Sequence, residues 1–594
     1  MGLLAQGCAS EKAALLPAAS AAPAEPARGG DVLEPPPAKQ RVEARIHLNQ
    51  VGFRASAPKR AVVPATGAVL GSGFVLVDDA VVPETRYRGT LTEYQGPNQS
   101  GHYARHFFAD FDDFNRPGRY RLRLSDGNLS VPFTIGDDIY EQIIPLILRY
   151  FDVQRCGPQH SEHRGPCHED DGIISGGPRN GERMDASGGW HDAGDYLKFV
   201  ETASYVTALM LFSYDRNQTH YDKALAHWDT FDGLPLPLAY AKIGLDWLLK
   251  MHPRPDEFYY QVGDDSDHNS WRLPETDMPK LSKHWTPRPV FYGIGANLAG
   301  RTAAALADRS RLYRPYDPAF ADRCLSAARS VYHLGLQNPQ ILTTNPYDFY
   351  PEKTWQDDME WGAINLYQAT QEERYLTQAI TFARAAGPAQ TYTSVYNTHT
   401  LAHATLYPHA PAAVQAQLLE FLRVDAEAAR VHSASNPYGL GTPYLWGTAE
   451  AAAGAAITCQ VYARSGKREF AEIARRQRDF ILGCNPFGLC CLVGAGTRYP
   501  LFPHHQIANL KNIELTGAIV GGPSDFKTYQ DQHISASHVD STQSPSPPPL
   551  PQDMSHNIGV YHDVVEDYVT NEPANDYTAK FLLLAAFCIG PAEE

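Results

Sequence analysis

The sequence predicts a multidomain chain, a small β-sandwich followed by a large all-α domain, and three observations carry that expectation. From about Glu43 to Phe133, short alternating runs are punctuated by turn residues. From Tyr140 onward a helical periodicity takes over and persists almost to the end. A length of 594 residues with 43% hydrophobic and 20% charged residues is enough for a large buried core and more than one domain.

Residues 1–42 are rich in Ala, Pro and Glu and hold too few large apolar side chains to offset the entropy of ordering, so they are expected to be a disordered tether or an export remnant. Leu3-Leu4-Ala5-Gln6-Gly7-Cys8 resembles a bacterial lipoprotein processing site, although Gln6 is unusual there and no proper apolar segment precedes it. The expected location is secreted, or lipid-anchored at the bacterial cell surface or periplasm. No run of 18 apolar residues exists, so no transmembrane segment is expected. Ile46–Val51, Arg60–Val63, Gly71–Val77 and Tyr120–Leu124 read as strands, and about ninety residues of this kind, 43–136, fit an immunoglobulin-like sandwich that acts as a packing module.

Residues 137–594 carry helical candidates near 140–153, 197–214, 235–251, 291–307, 317–334, 358–370, 373–386, 411–430, 447–464, 468–482 and 575–588. Paired helices with long loops fit either a closed toroid or an open solenoid, with the chemistry on the loops. Between Gly521-Gly522-Pro523 and Tyr561 the irregular stretch 524–560, containing Ser544-Pro545-Ser546-Pro547-Pro548-Pro549, is either a wall at one end of a groove or an exposed insertion without a role.

A formal net charge of -16 and a pI near 5.8 oppose attraction to nucleic acid or anionic lipid and fit a neutral partner. The 32 Tyr, 24 Phe and 8 Trp suit sugar stacking and an ordinary core equally. Nine cysteines are too sparse for a disulfide scaffold, and their odd number leaves at least one unpaired.

Chemistry concentrates in Gly188-Gly189-Trp190-His191-Asp192-Ala193-Gly194-Asp195-Tyr196. Two carboxylates three residues apart, with two adjoining aromatics and glycines that admit close backbone approach, suit holding and activating a water beside a sugar. Capping of the following helix by Asp192 and Asp195 is the alternative, and it accounts for neither the glycines nor a second acidic block, Tyr561 to Tyr577, which contains Glu572. Cys156 and the Cys167-His168 pair lie on a Gly- and Pro-rich loop, and His191 directly precedes Asp192. Two thiolates and two imidazoles are a donor set that tetrahedral zinc prefers, and four protein ligands leave no open position for water. A Cys156–Cys167 disulfide with ordinary histidines is the alternative.

The two acidic blocks, in this order and joined by helices, resemble glycoside hydrolase family 9, and IHLNQVGFRASAPKRAVV resembles the immunoglobulin-like module that precedes the catalytic domain in some members. The likeness covers roughly residue 43 to the end. It implies an (α/α)6 barrel and an inverting glycosidase in which Asp195 is the general base, Asp192 its partner in holding the nucleophilic water, and Glu572 the general acid. Inversion needs room for that water, with the carboxyls about 6.5 to 9.5 Å apart. The family also implies zinc at Cys156, Cys167, His168 and His191, fixing where the two aspartates point. Asp357 and Asp358 lie where the family has an acidic pair of a calcium site; capping of a helix starting near Glu360 fits them as well. His268 and Trp271 resemble positions lining the glycone side, Trp446 a stacking platform, His504 a subsite histidine and Tyr577 a residue near the acid.

The sequence departs from the family pattern in four places. Gln506 stands where His-x-Arg is usual, Glu450 adds a negative charge after Trp446, Pro573 follows Glu572, and Thr578 replaces a commoner Asn. An acidic site formed with Glu450 and Gln506 would favour a protonated amino sugar. The expectation is therefore a monomeric inverting β-1,4-glycosidase of endoglucanase or cellodextrinase type, acting on cellulose, cello-oligosaccharides or related β-glucans, with structural zinc and calcium. The alternatives are an exo-β-D-glucosaminidase on chitosan oligosaccharides, a non-catalytic carbohydrate-binding relative, and a zinc-dependent hydrolase.

Overall fold

Seven short strands, formed where apolar residues alternate with charged ones, make the N-terminal layer of the computed structural model: β1 (Gly52–Phe53), β2 (Arg60–Ala65), β3 (Gly73–Asp78), β4 (Thr85–Glu93), β5 (Arg105–Asp110), β6 (Gly118–Leu124) and β7 (Phe133–Ile135). The described residues are 46–65, 71–98, 103–158, 165–224, 233–268, 271–277, 287–345, 349–532 and 559–589, so the expectations for 1–42 and for most of 524–560 fall outside them. Hydrogen bonding joins the strands in the order β1-β7-β6-β3-β4-β5-β2, with only β1 and β7 parallel. In β6, Tyr120, Leu122 and Leu124 are buried while Arg119 and its arginine neighbours point outward, the period of two expected of a half-buried strand. β4 pairs with β3 in its first part and with β5 from Leu91, so one long strand serves both halves of the layer around a core that includes Phe53, Phe74, Phe111 and Phe133.

The expected strand Ile46–Val51 is a correction. His47 pairs with Val62 of β2 in an isolated antiparallel bridge, and Ile46–Gln50 is buried on every side because it also docks on the helical domain. Asn49 Nδ2 donates to Asp479 Oδ1 (2.7 Å) and Tyr140 OH (3.1 Å), while its Oδ1 accepts from the backbone of Val51 and Gly52. Gln50 N donates to Leu482 O at 2.9 Å, and Gln50 Oε1 accepts from Thr497 N and Arg498 N.

The helices are α1 (Ile143–Gln154), α2 (Val200–Ala224), α3 (Leu236–Met251), the single turn α4 (Asp265–His268), α5 (Ala296–Tyr313) and α6 (Pro318–Gln337). They continue with α7 (Gln356–Thr370), α8 (Glu373–Ala386), α9 (His399–Leu406), α10 (Ala412–Ser433), α11 (Thr448–Ala463) and α12 (Ala471–Ile481). Three short ones, α13 (Gln506–Lys511), α14 (Phe526–Asp531) and α15 (Tyr568–Asn571), precede α16 (Asn575–Phe587). α2 packs on α5, α5 on α7, α7 on α9, α9 on α11, α11 on α16, and α16 returns to α2. α3, α6, α8, α10 and α12 pack outside this succession, each against one or more of its members. Composition follows position, since α11 (TAEAAAGAAITCQVYA) is buried almost all round and α8 buries only Tyr375, Ala379 and Ala383.

A second sheet, β8 (Ile173–Ser175), β9 (Lys198–Phe199), β10 (Tyr259–Val262) and β11 (Pro289–Tyr292), has the order β8-β11-β10-β9 and frames the loop that precedes α2. β12 (Ser524–Asp525) pairs antiparallel with β13 (Gly559–Val560), bringing the two sides of the 524–560 stretch together. Among the described residues no helix is long and apolar enough to cross a membrane.

Candidate active site

The loop from Gly188 to Tyr196 is irregular backbone held from several elements at once. From α1, Gln154 O accepts from His191 N (2.8 Å), and Gln154 Nε2 donates to Ala193 O (2.7 Å). At the start of α16, Asn575 N donates to Asp192 O (3.0 Å) and Asn575 Nδ2 to His191 O (2.7 Å). Gly189 has φ +74 and lies against the Trp247 ring, a conformation and a proximity that a side chain would oppose. Trp190 and Tyr196 are 2% and 0% exposed, so the aromatics beside the carboxylates are core residues and not sugar platforms.

Both oxygens of Asp192 accept hydroxyls, Oδ1 from Thr202 and Oδ2 from Tyr350. Asp195 Oδ1 accepts from Leu197 N at 3.2 Å, two residues on along its own turn. Glu572 follows α15, where Gly521 N donates to its carbonyl at 2.9 Å and Val520 bridges to Pro573, a pairing that leaves no ladder donor missing at the proline. Gly194 N donates to Glu572 Oε1 at 3.1 Å. The structure thus brings the two acidic blocks, 378 residues apart in the chain, into direct contact. A Cβ on Gly194 would stand 3.0 Å from that oxygen and nearer still to His504 O.

A third carboxyl, Asp576, went unrecognised in the sequence because its helix position, four residues past Glu572, looks like ordinary first-turn acidity. It is 2% exposed, and its Oδ1 has no hydrogen-bond partner among the described residues. Burial, and then the charge of Asp192, push it up to about 8.

The expected sugar-contacting residues separate into two groups. Trp271 and His504 meet edge to face at 5.0 Å, His504 and Tyr568 at 5.8 Å, and Tyr568 and Trp446 at 5.7 Å, a continuous row of rings ending at Trp446, which is 38% exposed. Tyr568 was not singled out in the sequence; its place at the start of the helical turn that delivers Glu572 was the available signal. Tyr577 packs its hydroxyl against Gly447, and its pKa is raised by burial with Asp576, Tyr396 and Glu572 nearby. Glu450 and Gln506 are corrections to the expected acidic site. Glu450 is 6% exposed and its carboxyl lies against buried Lys580, so it is turned into the protein and not toward a sugar. Gln506 is 1% exposed; its N donates to Gly194 O (3.0 Å) and its Oε1 accepts from Arg272 N (3.1 Å), which makes it a brace between loops. Thr578 Oγ1 accepts from Ile519 N at 3.2 Å. The His268 side chain lies outside the described residues.

Cys156, Cys167, His168 and His191 are all buried, and one ligand atom from each lies within 4.8 Å of the others. Cys156 Sγ is 3.8 Å from His168 Nδ1 and Cys167 Sγ is 3.6 Å from His191 Nε2. Cys156 and Cys167 are not joined by a disulfide. Burial raises the Cys156 thiol, but Cys167, Lys198 and His191 outweigh it and hold the thiol well below its ordinary value, the protonation state a metal needs. His168 Nε2 meets Asp277 Oδ2 at 3.0 Å, which leaves Nδ1 directed at the cluster. The donor set and its compactness fit a bound metal ion.

Asp357 and Asp358 are in the first turn of α7 and fully buried. Asp357 Oδ2 accepts from Thr398 N (2.8 Å) and pairs with His399 Nδ1 (3.0 Å); Asp358 Oδ1 pairs with Arg301 (2.9 Å) and accepts from Thr398 Oγ1 (3.1 Å). Within the protein, the cationic side chains beside these two carboxylates are His399 at Asp357 and Arg301 at Asp358. Neither aspartate is the cap, which is Trp355. Among the described residues, the Cys/His set is the one cluster that could hold a metal ion.

The chain matches the family described as Glycosyl hydrolase family 9 over residues 140–585 and the one described as Cellulase N-terminal ig-like domain over 41–128. Endoglucanase 14 of Arabidopsis thaliana is 27% identical over 466 residues, covering 69% of this chain and 91% of its own. A metagenome-derived glycoside hydrolase family 9 endoglucanase superposes with a TM-score of 0.78 at 27% identity, covering 92% of this chain and 99% of that one. A Zn-binding triple mutant of the family 9 endoglucanase J30 superposes with a TM-score of 0.73 at 25% identity, covering 90% and 99%.

Proposed function

The chain belongs to glycosyl hydrolase family 9 with an N-terminal immunoglobulin-like domain, and from that premise we propose that it hydrolyses β-1,4-glucans with inversion of configuration, acting on cellulose or cello-oligosaccharides. The observation that carries this reading is the Gly194 N–H to Glu572 Oε1 contact of 3.1 Å, which sets the acid beside the loop bearing Asp192 and Asp195. The succession of helices closing from α16 back to α2, with partners outside it, supports an (α/α)6 barrel.

Water attacks the anomeric carbon and gives its proton to Asp195, while Glu572 delivers a proton to the leaving oxygen. Asp192 orients the water: hydroxyl donors on both its oxygens fix its direction, which leaves Asp195 as the base. The ring row Trp271, His504, Tyr568, Trp446 is the proposed sugar platform, with Tyr577 closing the acid side. Cys156, Cys167, His168 and His191 would hold zinc, which when bound would supply a structural cross-link. Residues of the loop then keep the two aspartates in register. The Leu3–Cys8 run supports export or lipid anchoring at a bacterial surface, and we propose that the enzyme acts as a monomer.

Product release from cellohexaose and from glucosamine hexamer, side by side, tests the reading. Glucose or cello-oligosaccharides of inverted anomeric configuration are expected, with the rate reduced at least about a thousandfold in Glu572→Gln at unchanged melting temperature. Release from the glucosamine hexamer alone would overturn the glucan assignment, and binding of either sugar without cleavage would overturn the catalytic roles.

A further inference from the structure

We infer that Asp277 and Arg272 are positioning residues that join the Cys156–Cys167–His168–His191 metal centre to Trp271, so that metal and glucan chain bind the protein cooperatively. The inference rests on the β-glucan reading of the site.

A closed circuit of side chains starts and ends on the metal cluster. His168 Nε2 meets Asp277 Oδ2 at 3.0 Å, and Arg272 Nε donates to Asp277 Oδ1 and Oδ2 at 2.7 and 2.9 Å. The same guanidinium pairs with Asp267, whose other oxygen is held by Arg288 Nη1 at 2.6 Å. Arg288 then clamps Asp171 through Nε (2.9 Å) and Nη2 (2.7 Å). Lys198 Nζ lies 3.0 Å from Asp171 Oδ2 and 3.4 Å from Cys156 Sγ, and Cys156 Sγ returns to His168 Nδ1 at 3.8 Å.

Three carboxylates alternate with three cations, and none of the six is more than 9% exposed. An unmatched charge in such surroundings is strongly disfavoured, so a displacement of one member obliges its neighbours to follow. Shift of His168, a residue held at φ +50, therefore moves Asp277, and Asp277 moves Arg272.

From Arg272 the circuit opens toward the sugar platform. Its backbone N donates to Gln506 Oε1 at 3.1 Å, and Gln506 N donates to Gly194 O at 3.0 Å, beside the base. Its chain neighbour Trp271 donates from Nε1 to Asn509 Oδ1 at 3.2 Å and stands edge-on to His504. Arg272 also receives the Tyr196 hydroxyl on its carbonyl, and Tyr196 packs 4.8 Å from the His191 ring. The metal ligands are thus tied to the Trp271 segment by two routes, one through charge and one through Tyr196. Equilibrium coupling is reciprocal: if zinc orders this segment for sugar, sugar must tighten zinc by the same factor.

The test uses the full chain carrying Glu572→Gln, which binds sugar without consuming it. Zinc affinity is measured by competition with a chromogenic chelator, with and without saturating cellohexaose, and cellohexaose affinity is measured by calorimetry on zinc-loaded and zinc-stripped protein. Sugar should tighten zinc at least about fivefold, and stripping should weaken cellohexaose by the same factor. Asp277→Asn should retain zinc, retain the fold by circular dichroism, and bring both factors toward one. Cellohexaose that binds while leaving zinc affinity unchanged would overturn the coupling and leave the glucan reading standing. Absence of any cellohexaose binding would overturn that reading and this inference with it. If Asp277→Asn does not fold, Arg272→Lys takes its place, and a folded variant that keeps both factors as large as in the parent would overturn the roles given to Asp277 and Arg272.

Discussion

Gly194→Ala is the substitution that most directly probes how the proposed acid and base are held together. The added Cβ would lie 3.0 Å from Glu572 Oε1 and nearer to His504 O, a backbone atom that cannot swing away as a side chain could. Restoring ordinary contact requires His504 O and the Gly194 backbone to separate by on the order of 1 Å, and a misplacement of that size costs about a hundredfold in rate. The Gly194 N–H donation to Glu572 weakens with the same shift, because the amide moves with its Cα. A loss of kcat of about a hundredfold on cellohexaose, or ~2.7 kcal/mol in the barrier, is therefore expected. Melting temperature measured in parallel separates local displacement from unfolding. A variant that keeps kcat within about threefold of the parent, at full structural integrity, would refute the argument that this contact registers the acid against the base.

Three further outcomes follow from buried groups. Asp576 loses its proton as pH rises through about 8, placing a second negative charge beside Asp192; kcat should fall over that range, and Asp576→Asn should move the alkaline limb upward by at least about half a pH unit. His403 pairs with Glu360 at 2.9 Å and donates to Gly387 O at 3.0 Å; burial opposes its cation, but these partners raise it to about 9, while burial pushes Glu360 up as well. A folded-state pKa above the unfolded value of about 6.5 gives stability that is full below that value and lost as pH rises through 9, so the melting temperature should decline between them and the decline should flatten in His403→Gln. Asn49→Ala strips donors from Asp479 and Tyr140 and an acceptor from two backbone amides, and should destabilise the chain by about 2–4 kcal/mol, read as a lower melting temperature with kcat at 25 °C within about twofold.

Helices were legible in the sequence wherever one face meets solvent. The pattern over 373–386 gives α8 residue for residue, because Tyr375, Ala379 and Ala383 mark its buried face. α9, His399 to Leu406, has no such signature: it is buried nearly all round, and its His and Thr residues are spent on interior partners such as Glu360 and Thr458. Ile46–Gln50 misled for a related reason, since an alternating pattern says which residues are buried against a sheet but not that a second domain covers the other face. At the site, Asp192, Asp195 and the Cys156, Cys167, His168 and His191 donors stand out by residue type and local spacing, whereas Glu572 stands out only through the resemblance of its block to the family pattern. Tyr350, Thr202 and Gln154 act on the same loop from segments whose proximity only the fold creates. Glu450 shows the converse failure, because a charge beside a motif carries no information about Lys580, 130 residues away and buried against it.

An irregular loop ordinarily moves, and moving carboxylates would lose the orientation on which water activation depends. Here the loop from Gly188 to Tyr196 is fixed by α1 through Gln154, by α16 through Asn575, by α13 through Gln506, and by the Cys/His cluster through His191. Each tie comes from a different element, so loss of any one leaves the others to hold the backbone. The Gly194–Glu572 contact differs in kind: it joins the two carboxyl-bearing segments to each other. Redundancy in the supports together with this direct link between the segments of the proposed acid and base implies an unequal mutational response. Weakening Gln154 or Gln506 should be tolerated far better than filling the space at Gly194.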